Sequence, residues 1–365
     1  MNRRHLLLGG GGAAAALGLG AYAATRGPSY DAAADAVWVR QSPQQLSQLH
    51  YLVHHATLAA NSHNTQPWLF SGGDDRVAIR PDLRRATPVV DPDNHHLYTS
   101  LGCAAENLGL AASALGRTSS VDFLAGEDAV QISLGGSGAA PDRLFEAIHD
   151  RQCTRSVYDG RAVAPEDLKT LESAARIAGC SLVLVTDRPR MEQILELILA
   201  ANAAQIADPA FVAELKHWLR FNAAEAVQHG DGLYSACSGN PTMPGWIARP
   251  VFGLVFTADA ENAKCAAQVR SSSGFAVFVS DRDDPEHWVS AGRSYQRFAL
   301  AATALGIRHA FLNQPVEVAR YRPELAALIG IGDRRPDLVV RFGYGDAMPR
   351  SLRRPVGDVI LNGPA

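Results

Sequence analysis

Cysteine is sparse and unpaired in this sequence: Cys103, Cys153, Cys180, Cys237 and Cys265 are an odd number with no close spacing. That pattern offers neither a CxxC metal site nor a disulfide framework, so the five read as structural thiols. An excess of one charge is also missing. Lys and Arg number 34 against 37 Asp and Glu, the formal net charge is -3, the pI is near 6.5, and no long basic run occurs. A nucleic-acid surface is argued against on those grounds. The glycine run Gly135-Gly136-Ser137-Gly138 lacks the strand-then-helix context of a phosphate loop and reads as a turn between two domains. What the chain does have is apolar content, 47% hydrophobic against 19% charged over 365 residues. It can bury a full core and has room for two domains or one large one.

The first thirty residues read as a targeting segment. Arg3-Arg4 precedes a Gly/Ala-rich, weakly apolar run to Ala24, and Ala21-Tyr22-Ala23 offers a small-x-small cleavage site, so the segment resembles a twin-arginine (Tat) signal. Export of an already folded protein by the Tat machinery to the periplasm, or another extracytoplasmic compartment, is the implied route. Leu6 to Ala24 is also about long enough to cross a bilayer, for which roughly 20 apolar residues are needed. An uncleaved inner-membrane anchor is therefore the alternative, weakened by six glycines in the run.

Periodicity then alternates between helix and strand. Tyr30 to Leu58 reads as mainly helical, and within it His50 and His54 stand four apart on one face; with no third ligand nearby, they read as ordinary histidines. Strands are expected at Trp68-Leu69-Phe70, Val77-Ala78-Ile79, Val121 to Phe123, Val130 to Leu134, Cys180 to Thr186, Gly274 to Val279 and Leu338 to Phe342, and Ile307 to Leu312 leads to Asn313-Gln314. Long helices with small-residue faces are expected from His95 to Leu115 and from Pro285 to Leu305, each followed by a glycine. Shorter helices are expected from Pro141, Pro165, Arg190 and Pro209. Between Asn222 and Phe256 the pattern lacks sustained periodicity and reads as an excursion or lid.

Two stretches carry candidate chemistry. Ala60-Asn61-Ser62-His63-Asn64-Thr65-Gln66-Pro67-Trp68 packs small residues, amides and a hydroxyl into one turn, suited to a planar ligand with many hydrogen-bonding edges. A plain helix-to-strand connection is the competing reading. Arg151-Gln152-Cys153-Thr154-Arg155 sets two guanidiniums four residues apart, able to grip a phosphate, or else simply solvated. The basic exit Arg350 to Pro355 is a second clamp or a solvated tail.

Together, Asn64-x-Gln66-Pro67-Trp68 after a helix, the small-residue helix ended by glycine, Arg151-x-Cys153-x-Arg155 and the closing Arg353-x-Pro355 resemble the FMN-dependent nitroreductase superfamily. The resemblance covers nearly the whole chain after Ser42. It implies an α+β fold of two tandem halves, residues 42–138 and 141–365, each with a mostly antiparallel sheet flanked by helices, and the two small-residue helices packed across a pseudo-twofold axis. The turn occurs once, in the first half, and the phosphate pieces lie in the second. The resemblance therefore implies a monomeric fused pseudo-dimer holding one FMN, like the flavin-sequestering (Acg-type) branch, with residues 222–256 as the lid. Carried over, Ala60, Asn61, Ser62 and Asn64 would contact the ring, Arg151, Cys153 and Arg155 the phosphate and ribityl end, Arg353 the phosphate, and Asn313 and Gln314 the ring edge. Ala60-Asn61 stands in place of the usual Pro-Ser, Cys153 in place of Ser or Thr, and Ser351 where a basic residue is common. The implied activity is electron transfer through FMN from NAD(P)H or another donor to an unknown acceptor, with no side-chain nucleophile; the alternative is flavin storage with little turnover.

Overall fold

The computed structural model describes residues 29–361. The expected targeting segment lies outside the described residues except for its last two.

Two four-stranded antiparallel sheets, one in each part of the chain, sit on either side of a central helix pair. Sheet one comprises β1 (Trp68–Gly72), β2 (Arg76–Pro81), β3 (Arg117–Leu124) and β4 (Ala129–Ser137), in the order β1-β2-β4-β3. Sheet two comprises β5 (Cys180–Val185), β8 (Gly274–Ser280), β9 (Arg308–Phe311) and β10 (Pro336–Gly343), in the order β5-β8-β10-β9. β8 and β10 are buried along their whole lengths, as continuous apolar runs in the middle of a sheet require. The glycine run is not a joint: Gly135, Gly136 and Ser137 continue β4, where Gly135 fits because a Cβ would stand 2.1 Å from Thr118 Oγ1.

The helices are α1 (Tyr30–Trp38), α2 (Gln48–Thr57), α3 (His95–Ala114), α4 (Pro165–Ala174), α5 (Arg188–Ile206), α6 (Pro209–Trp218), α7 (Ala223–His229), α8 (Gly245–Val255), α9 (Ala258–Arg270), α10 (Pro285–Ala304), α11 (Gln314–Glu317) and α12 (Arg322–Ile329). The single helix expected from Tyr30 to Leu58 is two, α1 and α2, each N-capped by a serine hydroxyl (Ser29 and Ser47). The stretch after Pro141 makes one 3₁₀ segment, Arg143–Ala147. The excursion is more regular than its pattern suggested, holding α7, α8 and the two-residue strand β7 (Leu233–Tyr234), which pairs in parallel with β6 (Leu219–Arg220) just before it.

α3 and α10 cross at the centre of the molecule. A Cβ on Gly102 would stand 2.1 Å from the carbonyl oxygen of Val289, and one on Gly292 would stand 2.0 Å from that of Thr99. The contact is reciprocal. Each glycine lies seven residues into its 20-residue helix, His95 to Gly102 and Pro285 to Gly292. Across the same face, buried Glu106 pairs with Arg293 (2.9 Å) and Arg297 (2.8 Å), and Gln296 donates to Asn107 Oδ1 (2.7 Å). Phe298, Ala299 and Ala302 of α10 and Leu101, Ala104, Ala105 and Leu108 of α3 belong to one core shared with both sheets.

The C-terminal segment crosses back to the first part of the chain. Phe70 N–H donates to Val359 O and Leu361 N–H to Phe70 O, both at 2.7 Å, so the tail adds a parallel bridge to the open edge of β1. On its way it carries Arg353 against the turn that precedes β1.

Candidate functional site

The turn after α2 is strained and fully tied. Of five non-glycine residues with positive φ among the described residues, three fall here: His63 at 47°, Asn64 at 53° and Gln66 at 54°. Such backbone persists only where surrounding contacts over-determine it. Asn61 Oδ1 accepts from Gln66 N–H (2.9 Å) and Asn61 Nδ2 donates to Ala59 O (3.3 Å). Asn64 Nδ2 donates to Gly232 O and Leu352 O (both 3.1 Å), and Gln66 Nε2 donates to Gly230 O (2.9 Å). The amides of the turn thus stitch three chain segments together: the turn itself, the excursion and the C-terminal tail. Trp68, just beyond, is wholly buried.

Arg353 departs from the role expected of it. Its Nε donates to Thr57 O (2.6 Å), Nη1 to Asn64 Oδ1 (2.9 Å), Ser351 Oγ (2.7 Å) and Leu352 O (2.9 Å), and Nη2 to Ala59 O (3.1 Å) and Leu58 O (3.4 Å). A guanidinium has five N–H groups, and all are spent on protein acceptors, three of them the carbonyls of Thr57, Leu58 and Ala59 at the α2 C-terminus. That end of the helix carries partial negative charge, so a cation is favoured there. Burial, with the nearby Arg151 charge, pulls its pKa down to about 9. Arg151, also buried, donates from Nη2 to Leu58 O (2.8 Å), and its Nε has no partner in the protein among the described residues. Asn64 has likewise used both amide hydrogens within the protein.

Arg155 is treated differently by its surroundings. Its carbonyl accepts from Gln268 Nε2 (2.6 Å), and the carbonyls on either side, Thr154 and Ser156, accept from Arg341 Nη2 at 3.2 and 2.7 Å. Arg341 is itself fully buried in β10 and lies over the Tyr158 ring at 4.0 Å. The backbone is therefore held at three successive carbonyls, while the Arg155 guanidinium makes no hydrogen bond or ion pair to a described residue. Thr154 N–H donates to His309 O (2.9 Å), and Cys153 bridges to His309 beside β9, with Cys153 Sγ 3.9 Å from the Tyr295 hydroxyl. Arg341 and Gln268 were not legible as site residues, since an arginine inside an apolar strand and a glutamine on a helix carry no local signal.

These groups line two adjoining cavities. The larger, about 280 Å³, is bounded by Ala60, Asn61 and Ser62 of the turn, Thr99, Ser100 and Cys103 of α3, Tyr295 of α10, and Asn313 and Gln314 at the start of α11. The smaller, about 70 Å³, is bounded by Asn64, Arg151, Cys153, Arg350, Ser351 and Arg353. Ala60, Asn61, His63 and Arg155 border both. All ten residues singled out in the sequence, from four separated stretches, thus face this pair of cavities. Gln314 Oε1 is buried without a partner among the described residues, whereas Asn313 Oδ1 accepts from Val339 N–H (2.9 Å) and so fixes the α11 start to β10.

The far wall of the larger cavity was not foreseen. His96 Nε2 lies 3.7 Å from Glu317 Oε1, and Gln205 Nε2 donates to Glu317 Oε2 (2.7 Å). Burial pushes the Glu317 carboxyl up, holds His96 down at about 3 and His63 at about 4, so both imidazoles are neutral near pH 7. Lys264, whose pKa burial lowers, donates to Ser238 O (3.1 Å) and Asn240 Oδ1 (2.6 Å) of the excursion. Leu233, Phe252 and Phe256, also from the excursion, cover this side. At the base of the excursion Asp231 pairs with Arg220 (2.5 Å) and with Arg85. His50 and His54 do not converge: His50 is exposed beside Ser47, and buried His54 faces Val39 O.

With this geometry in place, the chain can be set against known proteins. No family model matches it. Two Mycobacterium tuberculosis proteins, from strains CDC 1551 / Oshkosh and ATCC 25618 / H37Rv, each carry the name "Putative NAD(P)H nitroreductase". Each is 26% identical over 286 residues, 74% of this chain and 78% of theirs. That similarity supports the nitroreductase superfamily. Among solved structures, a nitroreductase with bound FMN from Bacteroides fragilis aligns at 15% identity and a TM-score of 0.38, over 61% of this chain and 100% of that one. The FMN-dependent nitroreductase NfnB from Mycobacterium smegmatis, in complex with NADPH, aligns at 15% identity and a TM-score of 0.36, over 55% and 86%.

Proposed function

We propose that this protein is an FMN-binding, nitroreductase-like oxidoreductase in which one chain supplies the whole site. The observation that carries the reading is the convergence of the Ala60–Asn64 turn, the Arg151–Arg155 segment, Asn313-Gln314 and Arg353 on two joined cavities. The residues present suit the cofactor. Arg155 offers a guanidinium free of described protein partners at the junction, Arg151 keeps a buried Nε without a described partner beside the smaller cavity, and Gln314, which lines the larger, keeps a buried Oε1 without one. Arg151 and Arg155 would hold a phosphate; Ala60, Asn61, Ser62 and Gln314 would meet the ring. Arg353 and Asn64 would shape the floor rather than grip the ligand. FMN, when bound, would supply two-electron chemistry. The chain's part is to orient it, to keep His63 and His96 neutral beside it, and to exclude water with Phe252 and Phe256.

On this reading the reciprocal α3–α10 crossing is the axis of a fused pseudo-dimer, the halves being 42–138 and 141–365, and the excursion 222–256 is the lid of an Acg-type flavoprotein. Export by the Tat route, with the protein already folded around its cofactor, belongs to the same proposal, as does NAD(P)H or another donor. Flavin content decides the first part: purified protein is expected to be yellow, to release FMN on denaturation, and to lose it in an Arg155→Ala variant. Colourless protein that stays so after incubation with FMN would sink the proposal.

A second reading, storage of flavin with little turnover, draws on the lid itself, whose Gly230 and Gly232 carbonyls are hydrogen-bonded to the turn and whose aromatics cover the cavity. Stopped-flow mixing with NADH or NADPH separates the two. Bleaching by dithionite alone favours storage, and bleaching by a nicotinamide favours turnover.

A further inference from the structure

The lid helix has a second face that the cavity does not use. α8 turns Ala248 and Phe252 inward, Phe252 stacking on Phe256 at 4.8 Å between ring centres. Its opposite side is apolar as well: Trp246 and Leu254 are each 79% exposed and Ile247 37%. With 3.6 residues per turn, Trp246, Ile247, Pro250, Gly253 and Leu254 share one arc, and Arg249 is a charged residue at its margin. Surface helices ordinarily turn their polar side to water. An outward apolar stripe of this kind marks a contact surface.

The start of the described chain indicates what meets it. The Tyr30 hydroxyl is 3.3 Å from Cys237 Sγ and its ring is 4.5 Å from that of Tyr234, both in the lid, and α1 packs on α7. The N-terminal end of α8 also rests on α7, where Arg249 pairs with Glu225 at 3.5 Å. The described chain therefore begins beside the lid. The sequence before it holds the apolar run Leu6 to Ala24, and the five residues from Ala24 to Ser29 reach at most about 18 Å when extended. A bilayer engaged by that run would lie on the side of the molecule that carries the lid. A second copy of the chain is a poorer occupant. A helix of this length is roughly 16 Å long, and its outward face is small against the roughly 800 Å² per partner of a stable interface.

We propose that the outward face of α8 lies in the interfacial layer of a lipid bilayer, Trp246 and Leu254 entering the acyl boundary and Arg249 remaining at headgroup level. Because Phe252 on the inner side of the same helix lines the cavity, lipid contact and cavity cover belong to one rigid element. The proposal does not depend on what the cavity binds.

Trp246 is a clean reporter, since Trp38, Trp68, Trp218 and Trp288 are all buried. The full chain is placed with vesicles of phosphatidylcholine and phosphatidylglycerol carrying brominated acyl chains, and tryptophan emission is compared between the native protein and Trp246→Phe. The expected result is quenching of a component that Trp246→Phe lacks, and loss of that quenching in Ile247→Glu/Leu254→Glu, with far-UV dichroism and thermal midpoint unchanged. Equal emission with brominated and unbrominated lipid, while the protein sediments with the vesicles, would overturn the proposal. So would a concentration-dependent dimer, abolished by Leu254→Glu, which would give the face to a second copy.

Discussion

Seven residues into α3, Gly102 meets the carbonyl of Val289; seven residues into α10, Gly292 meets the carbonyl of Thr99. Each helix stands against an antiparallel sheet of four strands. The surroundings of the two helices nevertheless differ. Before α3 lies a strained turn whose amides are consumed in stitching; the second part of the chain instead devotes Leu219 to Phe256 to a helical cover over the cavity. The frame is near-symmetric because backbone packing at the centre tolerates no side chain on either glycine. The periphery is free to diverge. Cations follow the same division. Arg353 is spent on the α2 terminus, whereas Arg155 is held by its backbone with its side chain left available.

The comparison can be broken at the crossing first. Gly102→Ala and Gly292→Ala each drive a methyl into a carbonyl, and each is expected to cost on the order of 3 kcal/mol. Urea unfolding measures this, with Gly73→Ala, whose Cβ would meet nothing within 4 Å, as the neutral control. A cost below about 0.5 kcal/mol at either glycine would mean that the crossing is not what joins the two parts.

The two arginines come next. Arg353→Ala leaves buried carbonyls at the α2 end without donors and is expected to lose about 2 to 4 kcal/mol of stability. Arg155→Ala is expected to change stability by less than about 0.5 kcal/mol. It should weaken FMN binding by roughly 10- to 100-fold, the loss of a charge-assisted contact. If titration with FMN shows the two variants equally impaired while both remain fully stable, the proposed division between floor and grip fails.

Acid should act on the whole frame. Seven histidines, six of them buried and His63 half-buried, have pKa values held down: His55, His95, His96 and His309 at about 3, His63 and His149 at about 4, and His54 lowered as well. The unfolded chain takes up those protons below about 6.5, so this stability is complete above 6.5 and is lost as pH falls toward 3 to 4. Each proton contributes a slope of about 1.4 kcal/mol per pH unit. Asp337, raised to about 7, and Asp91 and Glu317, also raised, act with the opposite sign, stabilising at low pH and losing that as pH rises. Since the histidines outnumber them, the thermal midpoint is expected to be lower at pH 5 than at pH 7.5, and a flat profile would contradict the assignment. The smallest effect belongs to the lid. Asp231→Asn loosens the pairs with Arg85 and Arg220 and is expected to cost about 1 kcal/mol, read as faster amide exchange in α7 with little change at the crossing.

Much of the fold was legible because its signals are local. The two glycine-ended, small-residue helices, the paired strands and the late buried strand Leu338 to Phe342 all follow from period and punctuation. Gly135-Gly136 misled because a glycine that makes room for Thr118 looks, in one dimension, like a glycine that makes a turn. The lid's helices were missed because they are short and broken up by glycine and proline, α7 spanning seven residues and α8 holding Pro250 in its interior. At the site, residue types announced the turn and the arginines. His96, Gln205 and Glu317 did not stand out, since each is unremarkable on its own helix and they meet only through packing.

By itself the sequence determined where candidate groups cluster, for amides in a tight turn and guanidiniums at a spacing of four are properties of the chain. The tertiary structure decided how those groups are used. A guanidinium's donors go to whatever acceptors folding brings near, and burial makes leaving an acceptor unpaired costly. Hence Arg353 closes a helix end, Asn64 binds the excursion to the tail, and Arg155, its backbone fixed by Arg341 and Gln268, alone of the three keeps its side chain free of described partners.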